Sequence, residues 1–209
     1  MIQEYNDVVD FHEKFGLTYN GIVRVLPPDL AEFRSGFIFE ELGERIDARS
    51  NRDLAGQLDA LVDVVYVVLG SLYLHGLPPR PSSMMPLHVP DAIWTRAWRY
   101  VPRELTEEEE AEVHAALLEP AHRYHMAASN PVLVETCRES LHEIAFRAIA
   151  VARLQGFPFD EAWTRVHAAN MKKQRGEGKR GGSYDVVKPP GWTPPDLEDL
   201  VTVAHSGLL

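Results

Sequence analysis

The apolar positions of this chain recur mostly three and four residues apart, the spacing that places them on one face of an α-helix. A first short helix is predicted over Ile2 to Phe15. Pro27 and Pro28 suit a helical first turn and open a second helix, running through DLAEFRSGFIFEELGERIDAR, with Leu30, Phe33, Phe37 and Leu42 as its stripe. A third is predicted from about Asn51 to His75, stopped by Gly76 and Pro78. Thr106 reads as the N-cap of EEEEAEVHAALL, and Pro120 is expected to break or kink that segment. Asn130-Pro131 opens another long helix that ends near Gln155-Gly156, and Asp160 is expected to cap the last one, EAWTRVHAANMKKQ. No strand is predicted, and the glycine-, lysine- and proline-rich stretch after Gly176 reads as loop. The pattern is that of an all-α helical bundle.

The connections add organisation. Residues Pro78 to Pro90, PPRPSSMMPLHVP, form a proline-rich connector, and the aromatic stretch WTRAWRY behind it fits no element. DALVDVVYVVLGSLYLHGLP, from Asp59 to Pro78, aligns without gaps on ESLHEIAFRAIAVARLQGFP, from Glu139 to Pro158. Two readings remain open: a partial duplication, or two buried helices with similar C-caps.

Composition narrows the function classes. The 209 residues make room for one domain, or one domain with a large insertion. Cys137 is the single cysteine, which excludes an internal disulfide or a cysteine zinc cluster and points to a reducing, cytoplasmic setting. The net charge of −10 argues against binding long nucleic acid through a general basic surface. It leaves room for a small phosphorylated ligand held by local cations. No membrane partner is expected: the polar, acidic N-terminal stretch is neither signal nor anchor, and the apolar run Val64 to Leu74 is too short to span a bilayer.

The second helix carries Glu40, Glu41 and Glu44 one turn or nearly one turn apart, beside Phe37 and Leu42. Three carboxylates on one face repel one another unless a cation neutralises them. Oxygen-only donors of this kind suit Mg²⁺, with Mn²⁺ as a substitute. The third helix adds Asp59 and Asp63 among Leu58, Leu61, Val62, Val64 and Val65. An aspartate in such surroundings is costly unless paired or metal-bound. Tyr66, three residues on, is placed to hydrogen-bond a ligand oxygen. The bland alternative is a solvated helix face for the glutamates and an N-terminal helix charge for Asp63. Glu107 to Glu112 read as first-turn acids that complement the helix dipole, and Glu135, Glu139 and Glu143 as a salt-bridged face with Arg138 and Arg147. His122 and His125 form no zinc pattern and read as surface residues.

The cations gather late. Lys172, Lys173, Arg175, Lys179, Arg180 and Lys188 lie close together among glycines that allow near approach to phosphate, with Asn170 just before them. A solvated charge run is the alternative. Trp192 either stacks on a base or anchors the tail on the bundle.

Together these phrases resemble the all-α nucleoside triphosphate pyrophosphohydrolases, the MazG-like group that includes phosphoribosyl-ATP pyrophosphohydrolase and dimeric dUTPase relatives. FHEKFG, FRSGFIFEELGE, DALVDVVYVVLGSLYLHG, FDEAWTRVHAANMKK and DVVKPPGWTPPD carry the likeness. The group's metal signature is Glu-Glu-x-x-Glu on one helix and Glu-x-x-Asp on the next. The first half is Glu40-Glu41-Leu42-Gly43-Glu44; in the second, Asp63 fits, Ala60 stands where the group has an acid, and Asp59 is the substitute one turn away. The resemblance implies metal ligation by Glu41, Glu44, Asp59 and Asp63, with Glu40 or Glu41 orienting or deprotonating a water. Tyr66, Asn170, Lys172, Lys173, Lys179, Arg180 and Lys188 would bind the substrate, a nucleoside triphosphate and by weak likeness a purine deoxynucleotide. It places a pyrophosphohydrolase core at 1–78 and 157–200, a helical insertion at 79–156 and a tail at 201–209. It also implies a dimer or tetramer, in the cytoplasm of a cell or of a phage host. The rival reading is a helical binding protein with a degenerate site.

Overall fold

A computed structural model describes residues 1–19, 21–79, 104–176 and 186–206, with side chains to residue 202. Most of the proline-rich connector, the WTRAWRY stretch, Lys179 and Arg180 lie outside them. The described elements are α1 (Ile2–Lys14), α2 (Pro28–Ser50), α3 (Leu54–Leu74), α4 (Glu107–Ala127), α5 (Val134–Leu154), α6 (Phe159–Asn170), a pair of two-residue strands, β1 (Gln174–Arg175) and β2 (Val186–Val187), and α7 (Glu198–Ser206). Among the described residues the fold is all-α apart from that one antiparallel pair.

α3 is the axis of the bundle. Every residue from Val64 to Leu74 is buried, and α1, α2, α5, α6 and α7 all pack on it. By length and composition α3 could cross a membrane, contrary to the expectation from its apolar run alone, but here it is the core helix. α2 and α3 form one hairpin, α4 and α5 another. Gln155, just past α5, donates to Gln57 near the start of α3 (3.0 Å), so α3 and α5 run antiparallel. The start of α4 meets the far half of α2 through Arg45 and Glu110 (2.5 Å), and its end meets the start of α2 through His125 and Ser35 (2.9 Å). Tyr124, Leu141 and Ile144 share one hydrophobic cluster with Leu61 and Leu69, so the stretch read as an insertion is part of the same core. Both α3 and α5 end on a glycine with positive φ, Gly76 and Gly156. The next amide turns back on the helix (Leu77 N to Leu72 O, 2.9 Å; Phe157 N to Ala152 O, 2.8 Å), the Schellman closure that only glycine adopts without strain.

Several expected boundaries move. α3 starts at Leu54 with Asp53 as its cap, accepting from Gly56 N. Thr106 caps α4 as read, in a reciprocal box with Glu109. Pro120 does not break α4. Its missing N–H would orphan the carbonyl four residues back, and Arg147 Nη1 donates to that carbonyl, on Ala116, from α5. The first turn after Asn130 is a 3₁₀ turn, Pro131–Leu133. Asp160 sits in the first turn of α6, which begins one residue earlier. The stretch read as tail holds α7, which buries Val201, with Leu197 buried just before it.

His75 shows how the interior satisfies polar groups. It is fully buried; Nδ1 donates to Arg24 O (2.8 Å) and Nε2 accepts from Tyr124 Oη (3.2 Å). Those roles require the neutral ring, and burial lowers its pKa to about 4, as it lowers that of His12 to about 3. An unfolded chain protonates both near 6.5. Between these values the unfolded state binds more protons, so this contribution is complete above about pH 7 and is lost as pH falls. His75→Gln keeps one donor and one acceptor but does not titrate. Urea unfolding of metal-free protein at pH 7.5 and pH 4.5 should show a loss from wild type exceeding that from the variant by on the order of 2–3 kcal/mol. Equal losses would refute a titrating His75.

Candidate active site

α2 carries Glu40, Glu41 and Glu44 of the predicted acids, and α3 carries Asp59 and Asp63. Glu41 is buried, Glu40 and Glu44 are exposed, and Asp59 and Asp63 are partly covered within an otherwise apolar stretch of α3. Burial raises the pKa of Asp63, and the charges of Asp59 and Glu44 raise it further. Asp59 is likewise raised by burial and then by Glu44. Glu44, Asp59 and Asp63 therefore act on one another across the two helices. Ala60, at the position where an acid was expected, is buried in the core. Among the described residues no three carboxylates or imidazoles stand close enough to form a finished metal cage.

The opposing charge arrives from beyond α6. Lys173 is pushed down by burial and held up by Asp63, then by Glu41 and Asp59. Lys188 opposes the rise of both aspartates. The short strand pair explains the meeting of two lysines fifteen residues apart: Gln174 is in register with Val187 and Arg175 with Val186. Trp192 completes the arrangement. Its Nε1 donates to Ala169 O (2.9 Å), and the ammoniums of Lys188 and Lys173 lie 4.6 and 5.8 Å from the centre of its ring. Of its two open roles, the structure shows the anchor.

The remaining predicted residues divide. Asn170 is buried at the end of α6, where its carbonyl accepts from Lys173 N (3.0 Å). Lys172 is exposed; Lys179 and Arg180 are outside the described residues. Tyr66 Oη is bonded to His167 Nδ1 (3.0 Å), and its ring stacks on Trp163. Burial raises the Tyr66 pKa, and Asp63, Asp7 and Asp10 add to that rise. Trp163 Nε1 in turn donates to Asp7 (2.8 Å). His167, Trp163 and Asp7 thus form a wall beside Asp63 that sequence reading did not pick out. Its one available signal was the helical spacing of Trp163, His167 and Asn170 along α6.

The acids read as bland behave so. Glu110 pairs with Arg45, Glu135 with Arg138 (3.1 Å), and Glu143 with both Arg123 and Arg147. Glu143 is the residue aligned with Asp63, so the corresponding position of the second hairpin is neutralised by arginine.

Residues 8–83, which contain all five candidate acids, match the model of the family described as phosphoribosyl-ATP pyrophosphohydrolase. That match covers α1 from Val8 onward, all of α2 and all of α3. The resemblance to the all-helical, MazG-like pyrophosphohydrolases is thereby borne out for that segment, as is the all-α fold. The pyrophosphohydrolase match ends before α4, so Lys173, Lys188 and His167 lie outside it. The chain is also similar to the uncharacterized protein L479 of Acanthamoeba polyphaga mimivirus, at 25% identity over 186 residues, covering 81% of this chain and 70% of that protein. No solved structure matches.

Proposed function

We propose that this chain is a metal-dependent nucleoside triphosphate pyrophosphohydrolase, yielding the nucleoside monophosphate and diphosphate. The family match supports hydrolysis of nucleotide anhydrides in general. The observation that carries the finer reading is the gathering of Glu41, Glu44, Asp59 and Asp63 with Lys173 and Lys188 set against them.

The donor set is all carboxylate oxygen, the chemistry of a Mg²⁺ or Mn²⁺ site. Mutual repulsion within it, visible in the raised aspartates, is what a divalent cation relieves. Glu41, Glu44, Asp59 and Asp63 would hold the cation, which when bound neutralises phosphate charge and acidifies a water. Glu40, exposed next to Glu41, would take a proton from the attacking water. Lys173 and Lys188 would stabilise charge on the phosphoryl oxygens. Trp192, beside both ammoniums, would help to position them, and the Tyr66–His167–Trp163 wall would limit water around Asp63. A deoxynucleotide, with a lean to purine, is the favoured substrate; the cytoplasm and a dimer or tetramer are the favoured setting.

The test is release of monophosphate and diphosphate from each common NTP and dNTP, with Mg²⁺, with Mn²⁺ and with chelator. Metal-dependent release from at least one nucleotide is expected. No release from any, by folded protein, would leave a helical binding protein, the reading that the buried Ala60 favours.

A further inference from the structure

The proposed reaction leaves unused a pair of histidines on α4, set against α2. His122 and His125 stand nearly one turn apart on α4, and both residues are exposed. Side chains three residues apart on a helix lie on one face. The ring of Phe39, from α2, packs against both imidazoles: its centre is 4.9 Å from that of His122 and 6.2 Å from that of His125. A shared neighbour therefore holds the two rings beside one another. Among the described residues no hydrogen bond or ion pair engages His122, and Ser35 is the hydrogen-bond partner of His125.

Ser35 sets the orientation of the second ring. It is buried, and its Oγ lies 2.9 Å from His125 Nδ1. Oγ has one proton, which points back along α2 to Ala31 O (2.9 Å), with Glu32 O at 3.1 Å. Its lone pair then accepts from Nδ1–H. A neutral imidazole with its proton on Nδ1 carries its lone pair on Nε2, at the edge away from Ser35. A ring whose inner nitrogen donates to a fixed acceptor, and whose outer nitrogen is bare, is arranged as a metal ligand.

We propose that His122 and His125 together bind a borderline transition cation, of the Zn²⁺ or Ni²⁺ class, through one exposed nitrogen of each ring, with water completing the shell. Imidazole nitrogen suits these ions, whereas Mg²⁺ prefers oxygen. Ligands three residues apart on one helix share an ion in carboxylate–histidine bundles. Among the described residues no third histidine, cysteine or carboxylate joins the pair. The site is therefore open, and its grip is weaker than that of a closed four-ligand cage. Restraint is what separates it from two solvated side chains. Phe39 and Ser35 have already removed ring freedom that binding would otherwise cost. The pair shares no ligand with the carboxylates of α2 and α3, and it selects a different class of ion.

The test adds Ni²⁺ to the full chain and follows the backbone amide signals, which the ion's unpaired electrons broaden nearby. Asp63→Asn is titrated beside wild type, so that the carboxylates cannot account for the binding. Saturable broadening centred on residues 122–126 is expected in both, reversed by excess Zn²⁺ and not by excess Mg²⁺. His122→Gln and His125→Gln should each weaken it by about tenfold or more, and Ser35→Ala by about tenfold, as for other outer partners of a metal-bound histidine. No saturable broadening at 122–126 in wild type would overturn the site, whether or not the chain hydrolyses nucleotides. Unchanged affinity in either histidine variant would overturn the two-ligand assignment. Unchanged affinity in folded Ser35→Ala would remove Ser35 as the orienting partner.

Discussion

Asp63→Asn should lower metal-dependent turnover by about a thousandfold or more while leaving the metal-free fold at least as stable as wild type. The two effects have one cause. Asp63 sits within an apolar stretch of α3, with Asp59 and Glu44 adding negative charge. A carboxylate held above its ordinary pKa costs stability whenever it is ionised. The folded chain takes up its proton at a higher pH than the unfolded chain does. Its contribution therefore improves as pH falls from the raised folded value toward 3.8, opposite to the usual aspartate. Asparagine removes that penalty and keeps the shape. It also removes an anionic oxygen from the donor set, and such electrostatic losses are among the largest single effects in catalysis. Diphosphate release and urea unfolding in chelator, measured on the same preparation, check both halves. Turnover within tenfold of wild type at ordinary Mg²⁺ would remove Asp63 from the site; a large loss of metal-free stability would mean that the carboxylate is a structural partner.

The helices were legible because burying one face leaves its period in the sequence. The Leu30, Phe33, Phe37 and Leu42 stripe gave α2, and Thr106 with Glu109 gave the start of α4. What escaped depends on partners far along the chain. Pro120 read as a break because the donor that replaces its missing amide, Arg147, comes from the next helix. The strands escaped because two residues carry no period of their own and are defined by pairing with residues more than ten positions away. α7 is short and preceded by prolines, so the burial of Val201, and of Leu197 just before the helix, left little signal. The acids announced themselves by being charged in an apolar helix. The Tyr66–His167 bond did not, since a hundred residues separate its ends.

Lysine 173 and its neighbour show the same limit and supply the second large effect. Lys172 and Lys173 read alike in sequence, and a single residue of rotation past the end of α6 decides between them. Lys173 is partly buried against Asp63, Glu41 and Asp59, whereas Lys172 is exposed. Lys173→Met should therefore lower kcat by about a hundredfold and raise KM, through loss of a charge-assisted contact to phosphate in a partly desolvated site. Lys172→Met should change either by no more than about twofold, as expected for a solvated charge. The metal-free state gives a second readout. Removing the Lys173 ammonium leaves the carboxylates with less positive charge nearby, so stability in chelator should fall as pH rises toward 8. Mg²⁺ should then raise Tm by more in the Lys173 variant than in wild type, because the cation replaces part of the missing charge. Equal kinetic losses in the two variants would mean that the basic segment acts only through its summed charge. An unchanged Mg²⁺ response in the Lys173 variant would separate Lys173 from the metal site.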